Sequence, residues 1–255
     1  MLFDTHAHLN DEKFDLDRDD IIAKIKKDNI SFVVNPGADM KSSISSIELA
    51  NKHDFIYAAV GVHPHDVKDM TNDDITKLKE LAKDKKVVAI GEIGLDYYYD
   101  NSKREDQKKW FIEQIKLANE LKLPIIIHDR DAHEDCFNII KEYKSDEIGC
   151  VLHSFSGSVE LAKEYIKLGC MLSISGPVTF KNNKKTPKVV KEIPLKHLMI
   201  ETDSPYLTPH PYRGKRNDPS YVCLVAQKIA DEKEISYEEV CKATLENAKT
   251  FFNIN

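Results

Sequence analysis

A chain of 255 residues, 41% hydrophobic and 31% charged, is long enough for two average domains or for one closed α/β barrel, and its composition excludes a fibre or a disordered chain. The formal net charge of −6 argues against coating of nucleic acid by a broad basic face, but not against an enzyme of phosphates, because bound dications reverse the local potential. No run approaches a membrane span, and Met1-Leu2-Phe3 leads straight into Asp4 and His6 with no room for a charged and apolar leader, so a cytoplasmic protein without membrane contact is expected.

Short apolar, β-branched runs recur at residues 2–6, 31–35, 56–63, 87–92, 124–128, 149–153, 170–175 and 197–203. Each reads as a buried strand by its continuous Val and Ile content and its Gly, Pro or polar flanks. Segments of helical spacing and mixed charge lie between them, at 19–27, 44–52, 74–82, 104–121, 134–143, 159–168 and 188–193, and two more follow the last strand at 221–231 and 237–252. Strand and helix alternate from end to end without a composition shift or a Gly/Ser linker. This predicts a single α/β domain over residues 1–255, a (β/α)8 TIM barrel, with an open doubly wound sheet as the alternative. The five cysteines, Cys136, Cys150, Cys170, Cys223 and Cys241, are odd in number and form no C-x-x-C pair; they read as reduced, mostly buried thiols rather than ligands or nucleophiles.

The polar residues that close these strands carry the functional signal. Strand 1 finishes in His6 and His8, strand 3 in His63, strand 4 in Glu92, strand 5 in His128, strand 6 in His153 and strand 8 in Asp203. In a parallel barrel the C-terminal strand ends converge on the face that carries active sites. His6 and His8 are two apart, so continued strand geometry points both imidazoles to one side, where they can chelate a metal; taken alone, the pair reads equally as two solvated histidines. Glu92 follows Val87-Val88-Ala89-Ile90-Gly91, where a buried charge is costly unless paired or metal-bound. Pro124-Ile125-Ile126-Ile127-His128 and Cys150-Val151-Leu152-His153 share one pattern, an apolar strand closed by a histidine. In Glu201-Thr202-Asp203 only one carboxylate readily faces the centre; Asp203, farther out, is the expected ligand and Glu201 its support. Six nitrogen and oxygen donors without cysteine suit a catalytic centre for Zn²⁺, Mn²⁺ or Mg²⁺ and exceed what one zinc takes. Two divalent ions are therefore expected, with Glu92 as the natural bridge.

These residues resemble the TatD-type metal-dependent deoxyribonucleases of the amidohydrolase-like barrels. The resemblance runs the length of the chain through Phe3-Asp4-Thr5-His6-Ala7-His8-Leu9, Gly61-Val62-His63-Pro64-His65, Gly91-Glu92-Ile93-Gly94-Leu95-Asp96-Tyr97, Leu123-Pro124-Ile125-Ile126-Ile127-His128, His153-Ser154-Phe155-Ser156-Gly157 and Glu201-Thr202-Asp203-Ser204-Pro205-Tyr206-Leu207. It implies that His6, His8, Glu92 and Asp203 bind one ion and that Glu92, His128 and His153 bind the second. It also implies a nucleic-acid substrate, with 3′-to-5′ nuclease activity on DNA or RNA in some members and D-aminoacyl-tRNA deacylation in others.

The expected reaction is metal-assisted hydrolysis, in which an activated water attacks a phosphodiester and Asp203 accepts or orients its proton. His63 is placed to contact the scissile phosphate or protonate the leaving oxygen, and His65 to support it. Arg130 and Arg213 are the candidate phosphate clamps, whereas Lys215 and Arg216 read as a solvated basic loop. Tyr97, Tyr98 and Tyr99 either stack a base of single-stranded nucleic acid or pack against the rim. The chain is expected to act as a monomer. Two other readings share the scaffold: an esterase or amidase acting on an adduct such as aminoacyl-tRNA, which the same ligands would serve, and a non-catalytic metal-binding protein.

Overall fold

A computed structural model describes residues 1–254. Eight strands alternate with helices: β1 (Leu2–Asp4), α1 (Arg18–Lys27), β2 (Ile30–Pro36), α2 (Met40–Lys52), β3 (Ile56–Val60), α3 (Asn72–Leu81), β4 (Val87–Asp96), α4 (Arg104–Leu121), β5 (Ile125–Arg130), α5 (His133–Tyr143), β6 (Cys150–Leu152), α6 (Val159–Lys167), β7 (Cys170–Ile174), α7 (Lys185–Glu192), β8 (Leu198–Ile200), α8 (Val222–Lys233) and α9 (Tyr237–Phe252). The strands follow chain order in one eight-stranded sheet. The N–H of Thr5 donates to the carbonyl of Ile200 and that of Asp203 to the carbonyl of His6, which sets the end of β8 beside β1. The order thus closes on itself, as in a (β/α)8 barrel. No helix among the described residues is long and apolar enough to cross a membrane.

By its contacts the chain divides into two compact units. The first comprises Met1–Asn35, His153–Lys167 and the stretch from Met171 onward. Here β1 pairs in parallel with β2, and β7 with β8. Helix α9 packs on β1 and β8, and its Phe252 meets Phe3 at 5.9 Å between ring centres. That helix starts where the Ser236 side chain accepts the N–H of Glu239, an N-cap that satisfies an otherwise orphaned donor.

The second unit comprises Pro36–Leu152 and Leu168–Cys170, with parallel pairs β3 with β4, β4 with β5 and β5 with β6. Helix α4 packs on β4, and its buried Phe111, Ile115 and Ala118 are spaced by three and four residues, which makes one apolar stripe. Helix α2 begins four residues before the predicted segment, because Asp39 and Ser42 form a reciprocal capping box that extends it past the first apolar residue. The cysteines are free thiols, and all but Cys223 are buried.

The strand ends differ from the sequence reading. Strands β1, β3 and β8 stop at Asp4, Val60 and Ile200, so His6, His63 and Asp203 lie two or three residues beyond regular pairing. Strand β4 continues past Glu92 to Asp96, buried along its whole length, and pairs Gly94, Leu95 and Asp96 with His128, Asp129 and Arg130. Gly94 permits this extension: its φ is +146°, and a Cβ there would fall 1.9 Å from the His128 carbonyl oxygen.

Candidate metal clusters

In the first unit, His6 is fully buried and His8 partly so. Although β1 has ended, Ala7 still bridges in parallel to Ser204 and the N–H of His8 donates to the Ser204 carbonyl at 2.8 Å, so the segment stays extended and both rings fall on one side. Their Nε2 atoms lie 3.2 Å apart, and Asp203 Oδ1 is 3.7 Å from His6 Nε2 and 3.5 Å from His8 Nε2. Four-coordinate zinc with bonds of about 2.0–2.2 Å spaces its donors by roughly 3.3–3.6 Å, so these three atoms fit one face of a metal's coordination shell.

Asp203 is buried and adopts φ +56°, a left-handed conformation that costs a non-glycine residue about 1 kcal/mol or more. The surrounding bonds hold it there: its N–H is tied to His6, and its carbonyl accepts from Tyr206 at 2.8 Å. Burial pushes its pKa up, but the hydrogen bond with His8 and the neighbouring imidazoles outweigh burial and hold the carboxyl below its usual range.

His153, also buried, stacks on His6 with ring centres 4.1 Å apart. Its Nδ1 is 3.3 Å from Glu201 Oε1, which also accepts the Ser154 N–H at 2.7 Å. Glu201 Oε2 is buried and has no hydrogen-bond partner among the described residues, an arrangement that needs an explanation in a native interior. His6, His153 and Glu201 thus form a second set of donors that could hold an ion. Behind them, Asp4 accepts the N–H of Thr202 at 2.9 Å and bonds its hydroxyl at 2.5 Å; burial pushes Asp4 up to about 8.

In the second unit, His63, Glu92 and His128 form a third set. Glu92 Oε1 lies 3.4 Å from His63 Nε2 and 2.8 Å from His128 Nδ1. A register shift between Ile90 and Ile93 re-aims the side chain at this point of the strand, as bulges do. The other ring nitrogen of His128, Nε2, is 3.0 Å from Asp96 Oδ2, which is also 2.8 Å from His65 Nε2. His128 thus lies between two carboxylates, its Nε2 toward Asp96 and its Nδ1 toward the Glu92 oxygen. A shared cation or proton is what holds two such atoms at 2.8 Å, and a carboxylate behind a ligand imidazole is the usual outer partner at metal sites. Burial, then the proximity of His128, pushes His63 down to about 4, so its ring is neutral at neutral pH, a state that suits a ligand or hydrogen-bonding group more than a proton donor.

Of the candidate phosphate contacts, Arg130 is exposed, with its guanidinium over the rings of Tyr98 and Tyr99 at 4.2 and 4.7 Å. Arg213 is exposed and lies over Phe180 at 3.7 Å. Arg216 is engaged by Asp17 and the Lys13 carbonyl. Tyr97 donates its hydroxyl to Asp135 at 2.6 Å, whereas Tyr98 and Tyr99 are 59% and 54% exposed. Asp96 and Asp4 are the residues that sequence reasoning passed over. Both lie in the quoted motifs, and a signal was present for Asp96: it is four residues after Glu92, a spacing that shares a strand face, and it follows an apolar run where a charge needs partners.

A profile of the TatD-related DNase family matches residues 3–253. The chain is 52% identical, over the full length of both, to a Bacillus subtilis protein described as the uncharacterized metal-dependent hydrolase YabD. It is 39% identical to the Methanocaldococcus jannaschii uncharacterized metal-dependent hydrolase MJ1582, covering 98% of this chain and 96% of that one. Among solved structures, YJJV, a TatD homologue of Escherichia coli K12, superimposes with a TM-score of 0.93 at 29% identity, covering 100% of this chain and 98% of that one. With a family match along almost its whole length and full-length relatives of this similarity, the chain belongs to the TatD family of metal-dependent hydrolases.

Proposed function

We propose that this protein hydrolyses phosphodiester bonds of nucleic acid with two divalent ions, Zn²⁺, Mg²⁺ or Mn²⁺, as a TatD-type deoxyribonuclease that shortens a strand from its 3′ end. The proposed ligands are His6, His8, Glu92, His128, His153 and Asp203, working in the cytoplasm within a single domain of residues 1–255. The observation that carries the reading is donor geometry: His6, His8 and Asp203 present three atoms at 3.2–3.7 Å, spaced as a metal's ligands are. The family's description as DNase supports the choice of substrate.

A divalent ion in such a site lowers the pKa of water and neutralises charge building on phosphoryl oxygens. The chain's own residues supply the rest. Asp203, kept ionised by its imidazole neighbours, accepts the proton of the attacking water. His63, neutral and aimed at Glu92, serves as ligand or as hydrogen-bonding partner of the scissile phosphate. Arg130 and Arg213 offer guanidinium donors to neighbouring phosphates.

The test loads metal-free protein with each ion and offers a 5′-labelled single strand, a labelled duplex and a D-aminoacyl-tRNA. A ladder shortening from the 3′ end is expected, and Asp203→Asn should slow it by about 10²- to 10⁴-fold, the usual contribution of a positioned base. Deacylation with intact nucleic acid, or full activity of Asp203→Asn, would refute the reading.

A further inference from the structure

The loop after β4 carries a feature that the hydrolytic chemistry above does not need. Tyr98 and Tyr99 are more than half exposed, meet edge to face with ring centres 4.9 Å apart at 88°, and leave the Arg130 guanidinium lying over both. Arg130 is exposed and makes no ion pair among the described residues. Two exposed rings with an exposed guanidinium over them form a surface that is both π-rich and cationic, and these are the complements of a nucleobase and its phosphate.

The surface is also built rather than incidental. Asp96 Oδ1 accepts the N–H of Tyr98 at 3.0 Å and of Tyr99 at 2.8 Å. Gln107 clamps the loop from below, accepting the Asp96 N–H at 2.9 Å and donating to the Ser102 carbonyl at 2.8 Å. The same Asp96 side chain holds His65 and His128 through its other oxygen. The His65 ring touches Tyr99 at 5.3 Å and His63 at 4.3 Å, so one buried carboxylate ties the aromatic pair to the His63, Glu92 and His128 cluster.

We infer that Tyr98, Tyr99 and Arg130 form a stacking subsite for an unpaired nucleobase next to the phosphate under attack, and that this subsite selects single-stranded or frayed ends. Bases inside a duplex have both faces occupied by their neighbours, so a ring can stack only on a base already free or extruded. Every base has a π-face, so the selection is for strandedness and not for sequence. The inference rests on the nucleic-acid reading above and deepens it.

The test separates the subsite from catalysis. Binding of a fluorescent single-stranded oligonucleotide is followed by anisotropy in the full-length protein without divalent ions, against the same strand with an abasic 3′-terminal unit and against a duplex. Wild type should prefer the intact single strand to both. Tyr98→Ala and Tyr99→Ala should weaken binding of the intact strand by roughly 5- to 150-fold, the usual range for one base stack, and abolish its advantage over the abasic strand. Tyr98→Phe and Tyr99→Phe, which keep the rings, should retain that advantage, and Arg130→Gln should flatten the salt dependence of binding. Base discrimination that depends on these rings supports the subsite even if no strand is cleaved with any metal, an outcome that would sink the nuclease reading alone. Cleavage with unchanged discrimination in the alanine variants, or no strand binding at all, would overturn the subsite.

Discussion

Replacing Asp96 by Asn tests whether an imidazole held from behind is what makes the His63, Glu92 and His128 cluster a metal site. Asp96 is fully buried and accepts four hydrogen bonds: Tyr98 and Tyr99 N–H on Oδ1, and His65 and His128 on Oδ2. Burial alone would raise its pKa, yet those bonds hold it well below the carboxylate range, so it stands as an anion that the cluster organises. An asparagine keeps one acceptor only. If its oxygen stays with the two backbone N–H groups, its amide nitrogen takes the place of Oδ2, and the Nε2 atoms of His65 and His128 lose their carboxylate partner. If the amide flips, two backbone donors lose their acceptor. Either way two charge-assisted bonds are lost, each worth about 1.5–3 kcal/mol. Part of this returns as relief of the buried charge, which leaves a net loss of about 2–4 kcal/mol and a fall in Tm of roughly 5–15 °C for a chain of this size. Loss of an outer partner typically lowers metal affinity by about 10- to 100-fold. Calorimetric titration with Zn²⁺ or Mn²⁺ reads that affinity directly, without reference to turnover. Affinity within twofold of wild type, in a variant that has lost stability as expected, would show that Asp96 braces the loop and does not orient His128.

Three other outcomes follow from the packing and the donor sets. Gly94→Ala would place a Cβ 1.9 Å from the His128 carbonyl oxygen at φ +146°, so β4 and β5 must separate; a loss above about 3 kcal/mol is expected from backbone strain and broken pairing, and a Tm within 2 °C of wild type would contradict the register. Thr202→Val keeps the shape but removes the hydroxyl bonded to buried Asp4 at 2.5 Å; urea unfolding should show a loss of about 1–3 kcal/mol, and a change below about 0.5 kcal/mol would mean that Asp4 is held by backbone alone. Divalent metal at about one hundred times its Kd should stabilise the protein by about 2.7 kcal/mol by mass action. A melting temperature that neither rises with metal nor falls again with chelator would leave the donor sets without a ligand.

What could be read from the sequence and what could not divide along a physical line. A charge or imidazole at the end of an apolar run is legible because burying it unpaired is costly, and this is how His6, Glu92, His128, His153 and Asp203 stand out. Alternation of strand and helix gave the (β/α)8 class for the same local reason. The strand limits were harder: Glu92 lies inside a strand because Gly94 lets β4 run on against His128, a fact about the neighbouring backbone. Partners across the fold were not legible at all. Arg130 lies 31 positions after Tyr99 in the chain, and only the pairing of Asp96 with Arg130 between β4 and β5 brings its guanidinium over the two rings. Asp4 and Thr202 are likewise far apart in sequence, and each alone looks like an ordinary polar residue.

The charges buried in these clusters bear on what the clusters are for. In the first unit Asp4, Glu201 and Asp203 are buried, and in the second Glu92 and Asp96 are; Asp4, Glu201, Asp203 and Asp96 have no Lys or Arg partner among the described residues. A stability-driven interior would pair such groups with guanidinium or ammonium ions or replace them with apolar side chains, because an uncompensated buried charge costs several kcal/mol. Here the compensation comes from backbone N–H groups, from imidazoles that are good metal ligands when neutral, and at Asp4 from a proton retained up to about 8. Substituting Lys or Arg for those imidazoles would neutralise the carboxylates more fully and would also exclude a cation. The fold instead keeps its buried acids beside imidazole and backbone nitrogens, an electrostatic arrangement that a divalent ion completes and that a purely structural role would have no reason to maintain.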